Sequence, residues 1–336
     1  MNSGSSEKIS YPELLTVSPS PHIRQGDTTR SIMLDVIIAL TPAFIWGVIC
    51  FGVRAFVVVA LSIISAILSE FATEKILRRK NTIGDLSAIV TGLILGLNLP
   101  ASVPFYIPVV GSAFAIIVVK QLFGGLGKNF MNPALAARVF LFAWPAAMTT
   151  FTKPFTRLSI FTTADKIDAV ATATPLASLK AGGLPDISWV DLITGKCPGS
   201  IGEISSVLII IGGLYLIFRR VITWHIPVSI IGTVALLTAL FPQNADAASF
   251  VLSEIFSGGL LLGAVFMATD YVTSPITAKG RIIFGVGCGV ITVLIRYFGG
   301  YPEGISFAIL IMNSLVYYID KFTKPKVFGG MQNGKN

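Results

Sequence analysis

Long apolar runs, each about the length that crosses a bilayer, recur from Ser31 to Lys321 and constrain this chain more than any other feature. A spanning helix needs roughly 20 mainly apolar residues. About ten segments of this kind are predicted, at 32–53, 55–74, 83–100, 104–122, 132–149, 204–218, 222–241, 250–269, 281–298 and 304–321. Charged residues make up 12% of the chain, where a soluble domain carries about 25%. Lipid is therefore the expected solvent. An all-α bundle is the expected fold, because a helix satisfies its own backbone polar groups.

The net charge of +8 does not point to nucleic acid, because the basic residues sit at segment ends. Lys75, Arg78, Arg79 and Lys80 follow the second segment, and Lys120 and Lys128 flank the connection after the fourth. Arg219 and Arg220 follow the sixth, Lys279 and Arg281 the eighth, and Lys321, Lys324 and Lys326 the tenth. All fall on one side, which the positive-inside rule makes cytoplasmic. Both termini are then cytoplasmic. The N-terminus lacks an apolar core and does not read as a cleaved signal peptide.

This gives a leader over 1–31, a first five-helix unit over 32–149 and an extracytoplasmic loop over 150–203. A second five-helix unit follows over 204–321, then a tail over 322–336. The loop carries Lys153, Arg157, Lys166, Lys180 and Lys196, and long loops translocate regardless of charge. The halves share "TGLILG" (91–96) with "GGLLLGA" (258–264), and "FGGLGKNFMNPALAARVF" (123–140) with "FGGYPEGISFAILIMN" (298–313). Five spans per half predict inverted repeats, an arrangement that places a site near the midplane where helices break.

Glycine and proline interrupt the apolar pattern at "GGLGKNFMNPA" (124–134), "MATDYVTSPITAKG" (267–280) and "GGYPEG" (299–304). Each alone reads as an interfacial turn. Together they point to a cavity, since non-helical backbone at membrane depth needs protein or a cavity around it. Asn129 and Asn132 offer amides suited to a flat heterocycle, and Asp270 and Thr273 are candidates for the facing side. Equally, Asn129 reads as a helix cap and Asp270 as a boundary charge. Asp35, Glu70 and Glu254 are further carboxylates near or within spans, and His225 reads as structural. Cys50, Cys197 and Cys288 are isolated, with His22 and His225 the only histidines. No metal-ligand spacing results.

In the longest polar stretch lies "DAVATATPLASLK" (168–180), small residues and hydroxyls with charge only at its ends. On its residues alone "TATPL" reads as a turn or helix cap. Three motifs, "GGLGKNFMNPALAARVF", "FMATDYVTSPITAKGRIIFG" and "IRYFGGYPEGISFAILIMN", together resemble the D subunit of the Rnf electron-transport complexes. The related B subunit of sodium-pumping NADH:quinone reductases shares them. The resemblance runs from about residue 22 to the end of the last predicted span. It implies an FMN joined through its phosphate to a threonine of the external loop, by a flavin transferase that uses FAD. The family pattern resembles Asp-x-x-Ser/Thr-Gly-Ala-Thr. Asp168, Ala173 and Thr174 match it, with Thr174 the attachment site. Ala171 stands where Ser or Thr is usual and Thr172 where glycine is usual, which makes Thr172 the other hydroxyl to test.

The resemblance further implies a non-covalent riboflavin, placed near Asn129, Asn132 and 267–274. It also implies the other Rnf subunits as partners, a bacterial cytoplasmic membrane, and electron flow between ferredoxin and NAD coupled to Na+ or H+ movement. A quinone-reductase subunit and a redox-silent inverted-repeat transporter are the alternatives.

Overall fold

The computed structural model describes residues 28–79, 81–156, 171–183, 187–243 and 246–325. Most of the leader, much of the tail and Asp168 lie outside them. The described chain is helical apart from one pairing of two-residue strands.

The first half builds α1 (Thr29–Phe51), α2 (Val53–Ile76), α3 (Ser87–Leu97), α4 (Tyr106–Gln121), α5 (Pro133–Leu141) and α6 (Pro145–Thr149). Strands β1 (Phe151–Thr152) and β2 (Ala171–Thr172) pair antiparallel. They lead to short helices α7 (Pro175–Lys180) and α8 (Trp189–Thr194). The second half holds α9 (Ser206–Phe218), α10 (His225–Leu240), α11 (Ala247–Phe256), α12 (Leu260–Met267), α13 (Ala278–Phe298) and α14 (Ile305–Thr323).

Among the described residues α1, α2, α13 and α14 are long and apolar enough to cross a membrane, and α11 with α12 forms a fifth candidate bent by 57°. The other apolar segments are shorter than a full crossing. The 83–100 segment is α-helical over 87–97 only, after a single 3-10 turn at Ile83–Asp85. There Asn98 turns its amide back onto the Ile94 carbonyl at 2.7 Å, and Pro100 cannot continue a helix. The 132–149 segment breaks after Leu141 and restarts at Pro145. Hydropathy registers none of these breaks, because the interrupting residues are themselves mostly apolar.

The exposed backbone at the break after α3 is satisfied by distant groups. Ile201 and Gly202 donate their amides to the Leu99 and Leu97 carbonyls at 3.1 and 2.8 Å. Buried Arg54 donates to the carbonyls of Ala101, Ser102 and Val103 at 3.0–3.2 Å. This is the accounting that a helix end requires away from water. Close packing of α2 on α3 rests on Gly92 and Gly96, whose α-carbons face the backbones of Ile63 and Val59, in the small-xxx-small manner of membrane helices.

Helix α2 packs on α3 and α4, and α4 on α5. In the second half α10 packs on α11 and α13, and α13 on α14. Between halves, α1 meets α9 and α5 meets α14. The last seven residues of α4 and the last five of α12 are π-helical, a form that concentrates at functional sites.

Candidate functional site

The cavity between the two halves is built from broken elements. Its volume is about 100 Å³, with a mouth open to one side. It is bounded by the start of α1, by α3, by the end of α4, by 126–134, and by the stretch from Phe266 to Val272. Its walls are mainly apolar, with a few convergent polar groups, the usual make-up of a small-molecule site. Asn129, Asn132 and Asp270 all line it, with Lys120, Ser87 and Thr269. Segments 124–134 and 267–280 therefore meet. Thr273 is buried and lines a separate recess with Asn313; its hydroxyl donates to Asp270 Oδ2 at 3.1 Å.

Asn132 is committed to structure. Its Oδ1 accepts from the Ala134 and Leu135 amides at 3.0 and 3.3 Å, capping α5 with Pro133 at the first helical position. Its Nδ2 donates to the Met267 carbonyl at 3.2 Å, at the end of the π-helical turn of α12. The helix cap thus belongs to Asn132. Asn129 instead donates from Nδ2 to the Met131 carbonyl at 3.0 Å. Gly124, Gly125 and Gly127 before it have φ of +116°, +93° and +84°, backbone that glycine adopts freely.

Lys120, read from sequence as a flanking charge, is 2% exposed. Its Nζ donates to Glu70 Oε1 and Ser87 Oγ, both at 2.6 Å. Glu70 also accepts from Gln121 Nε2 at 3.0 Å and the Thr82 hydroxyl at 3.1 Å. Asp35 ties α1 to α9 by accepting from the Arg219 guanidinium at 3.1–3.2 Å and the Tyr215 hydroxyl at 2.8 Å. Glu254 pairs with Arg296 at 2.6 Å. His225 opens α10 with its ring stacked on Trp224 at 4.2 Å. The sequence reading passed over Arg138, a buried cation on α5 that meets Asn98, Ser306 and Glu303. An arginine inside an apolar segment predicted to span was the available signal.

Thr174 is the N-cap of α7. Its Oγ1 accepts from the Ala177 amide at 3.2 Å; Thr174 is half-buried and Ala173 exposed. Thr172 belongs to the strand pairing, opposite Phe151. Helix α7 is anchored on the second half. Leu176 and Leu179 pack with Phe250 of α11, and Lys180 Nζ donates to the Tyr301 carbonyl at 2.9 Å and to that of Gly299. Since Thr277 and Thr323 hydrogen-bond at the opposite end of the α13–α14 hairpin, Thr174 and the 268–277 side of the cavity are separated by roughly the length of α13, about 30 Å at 1.5 Å per residue.

Comparison with known proteins bears on the whole of this architecture. The chain is 49% identical over 320 residues to the D subunit of the Na(+)-translocating ferredoxin:NAD(+) oxidoreductase complex of Acetobacterium woodii, covering 94% of this chain and 95% of that one. It is 44% identical over 329 residues to the D subunit of the proton-translocating ferredoxin:NAD(+) oxidoreductase complex of Clostridium ljungdahlii, covering 94% and 96%. It is 35% identical over 360 aligned positions to the D subunit of the ion-translocating oxidoreductase complex of Actinobacillus succinogenes, covering 96% and 100%. The model of the NQR2, RnfD, RnfE family matches residues 16–329, and the chain belongs to that family.

Proposed function

We propose that this chain is the D subunit of an Rnf-type, ion-translocating ferredoxin:NAD oxidoreductase. It works with the other subunits of that complex and is not catalytic alone. It is a multi-pass protein of the bacterial cytoplasmic membrane, with about ten membrane segments in two inverted five-helix repeats and both termini cytoplasmic. The matched packing supports the repeat: α2 against α3 and α4 corresponds to α10 against α11 and α13, while α1–α9 and α5–α14 join equivalent helices across halves.

Thr174 carries FMN in this reading, attached by a flavin transferase, and the cavity beside Asn129, Asn132 and Asp270 holds riboflavin. The observation that carries the first assignment is the role of Thr174 Oγ1. It serves the helix cap purely as an acceptor. A phosphoester oxygen keeps a lone pair, so esterification leaves the cap intact. Exposed Ala173 before it leaves the hydroxyl approachable. A flavin, once bound, supplies one- and two-electron transfer. The protein's part is positioning. Pro175 and the cap fix the direction of Thr174, and Lys180 fixes α7 on the 299–301 turn. In the cavity, apolar walls exclude water, while Asn132 holds the two broken segments together.

The relatives' names divide between sodium and proton, so identity does not select the coupling ion.

In-gel flavin fluorescence after denaturation tests the attachment, on full-length chain co-expressed with a flavin transferase. Wild type, Thr174→Ser and Thr172→Ala are expected to fluoresce, and Thr174→Ala to be dark. Fluorescence that persists in Thr174→Ala and vanishes in Thr172→Ala would move the attachment to Thr172. A dark wild type would sink the covalent reading. Ferredoxin-dependent NAD reduction by the intact complex, as against NADH-dependent quinone reduction, separates the Rnf assignment from a quinone reductase.

A further inference from the structure

Arg138 stands at the centre of a buried charge cluster that none of the flavin chemistry uses. Its Nη2 pairs with Glu303 Oε2 and lies 4.0 Å from Glu203 Oε2. Its Nη1 donates to Asn98 Oδ1 at 2.6 Å and Ser306 Oγ at 3.3 Å. The Arg138 side chain is 4% exposed and that of Glu203 3%, while that of Glu303 is 14%. Two carboxylates therefore face one guanidinium, a net charge of minus one. Glu203 Oε1 accepts from the Ser200 amide at 2.8 Å, but among the described residues the buried Glu203 Oε2 has no hydrogen-bond donor and Arg138 Nε no acceptor.

An ionised carboxylate oxygen buried without a donor is among the more expensive arrangements a protein can hold. Two like charges sharing a site resolve the problem by retaining a proton. A metal cation is the poorer fit. The guanidinium already occupies the position between the carboxylates where a cation would sit, and its N–H groups take the Glu303 lone pairs.

We propose that Glu203 and Glu303, with Arg138 between them, form a buried site that binds and releases one proton. The proton arrives from water at the more exposed Glu303 and comes to rest on Glu203 Oε2, making the cluster neutral. No other bond forms or breaks, and no electron moves.

The surroundings suit this. The Gly258–Gly259 junction between α11 and α12 lies against the cluster: a Cβ at Gly259 would stand 3.1 Å from Glu203 Oε2 and 3.3 Å from Arg138 Nη1. Glycine leaves room there for the shared proton to be reached. On the same junction, Gly258 faces Leu176 of α7, Glu303 and Arg296. Among the described residues, the other charged and titratable groups nearby include the Arg296–Glu254 pair, which is neutral as a unit, Lys180 of α7, whose ammonium is held by the Gly299 and Tyr301 carbonyls of the turn that carries Glu303, and the buried Cys197 thiol, which feels the Glu203 charge. Burial, and then the Glu303 carboxylate, raise the affinity of Glu203 for a proton against the pull of Arg138.

This site does not rest on the flavin assignments. The test is pH-difference infrared spectroscopy of the purified full-length chain in detergent, in H2O and D2O. As pH falls through the neutral range, wild type is expected to gain a protonated-carboxyl C=O band that shifts in D2O. The band is expected to vanish in Glu203→Gln and persist in Glu254→Gln. In Glu303→Gln, removal of the like charge is expected to move its midpoint down by about one pH unit or more, a tenfold loss of proton affinity. No such band in wild type overturns the proposal, and that measurement needs no variant to fold. A band that survives Glu203→Gln, or a midpoint unmoved in Glu303→Gln, overturns it equally. Thr174→Ala is expected to show the wild-type band, which separates this outcome from that of flavin attachment.

Discussion

Asn132 and Met267 are 135 positions apart, and the amide of one donates to the carbonyl of the other at 3.2 Å. The same side chain caps α5. One residue thus closes a helix start in the first half and a π-helical end in the second. Asn132→Ala is expected to lose a cap, about 1 kcal/mol, and to leave a buried carbonyl unpaired, about 1–3 kcal/mol. Asn132→Ser keeps the cap acceptor and loses only the bond to Met267, so its loss is expected to be smaller. Thermal unfolding of the full-length chain in detergent gives the ranking; equal losses for the two variants would show that the cap contributes little, and an unchanged Asn132→Ser would show the same of the link to Met267.

Glu70 and Lys120 make the second prediction. Removing one partner of a buried pair strands the other, at about 3–5 kcal/mol, whereas replacing both with apolar residues is often near neutral. Lys120→Met alone and Glu70→Leu alone are expected to destabilise strongly, and the double variant to recover much of the loss. Because Gln121 and Thr82 also donate to Glu70, recovery is expected to be incomplete. A double-mutant cycle on unfolding temperature reads the coupling, and simple additivity of the two losses would contradict a paired role.

Gly92 gives the third. A Cβ there would stand 2.7 Å from Ile63 Cα and 2.9 Å from the Ser62 carbonyl oxygen, both backbone atoms of α2. Backbone cannot step aside as a side chain can, so Gly92→Ala is expected to push α2 from α3 at about 1–3 kcal/mol. Gly232→Ala meets nothing within 4 Å and is the matched control, expected to raise stability by about 0.5–1 kcal/mol, the usual gain of alanine over glycine inside a helix.

The helical class and the meeting of the two broken segments were legible in the sequence. Glycines, asparagines and prolines within apolar runs mark where backbone leaves the helix. Two such marks, at 124–134 and 267–280, converge on the cavity. Pairings were not legible. A lysine at the end of an apolar run reads the same whether it snorkels to water or is buried, and only the tertiary arrangement brings Lys120 to Glu70, fifty residues earlier. The pattern "TGLILG" read as a repeat marker; its glycines also let α3 approach α2. Helix length was over-read for a related reason. Hydropathy sums over Asn98 and Pro100 without registering that hydrogen bonds from Ile201 and Gly202 replace the missing helix there.

The contacts of Lys180 with the 299–301 turn set the mechanics of whatever hangs from Thr174. Helix α7 is held by Lys180 at its C-terminal end and by Leu176 and Leu179 along its length, so its first residue has little freedom to sweep. A group esterified there would be mounted on a fixed post. Its reach would be that of its own rotatable bonds, and an electron donor or acceptor would have to be brought to the post by the docking of a neighbouring protein of the complex.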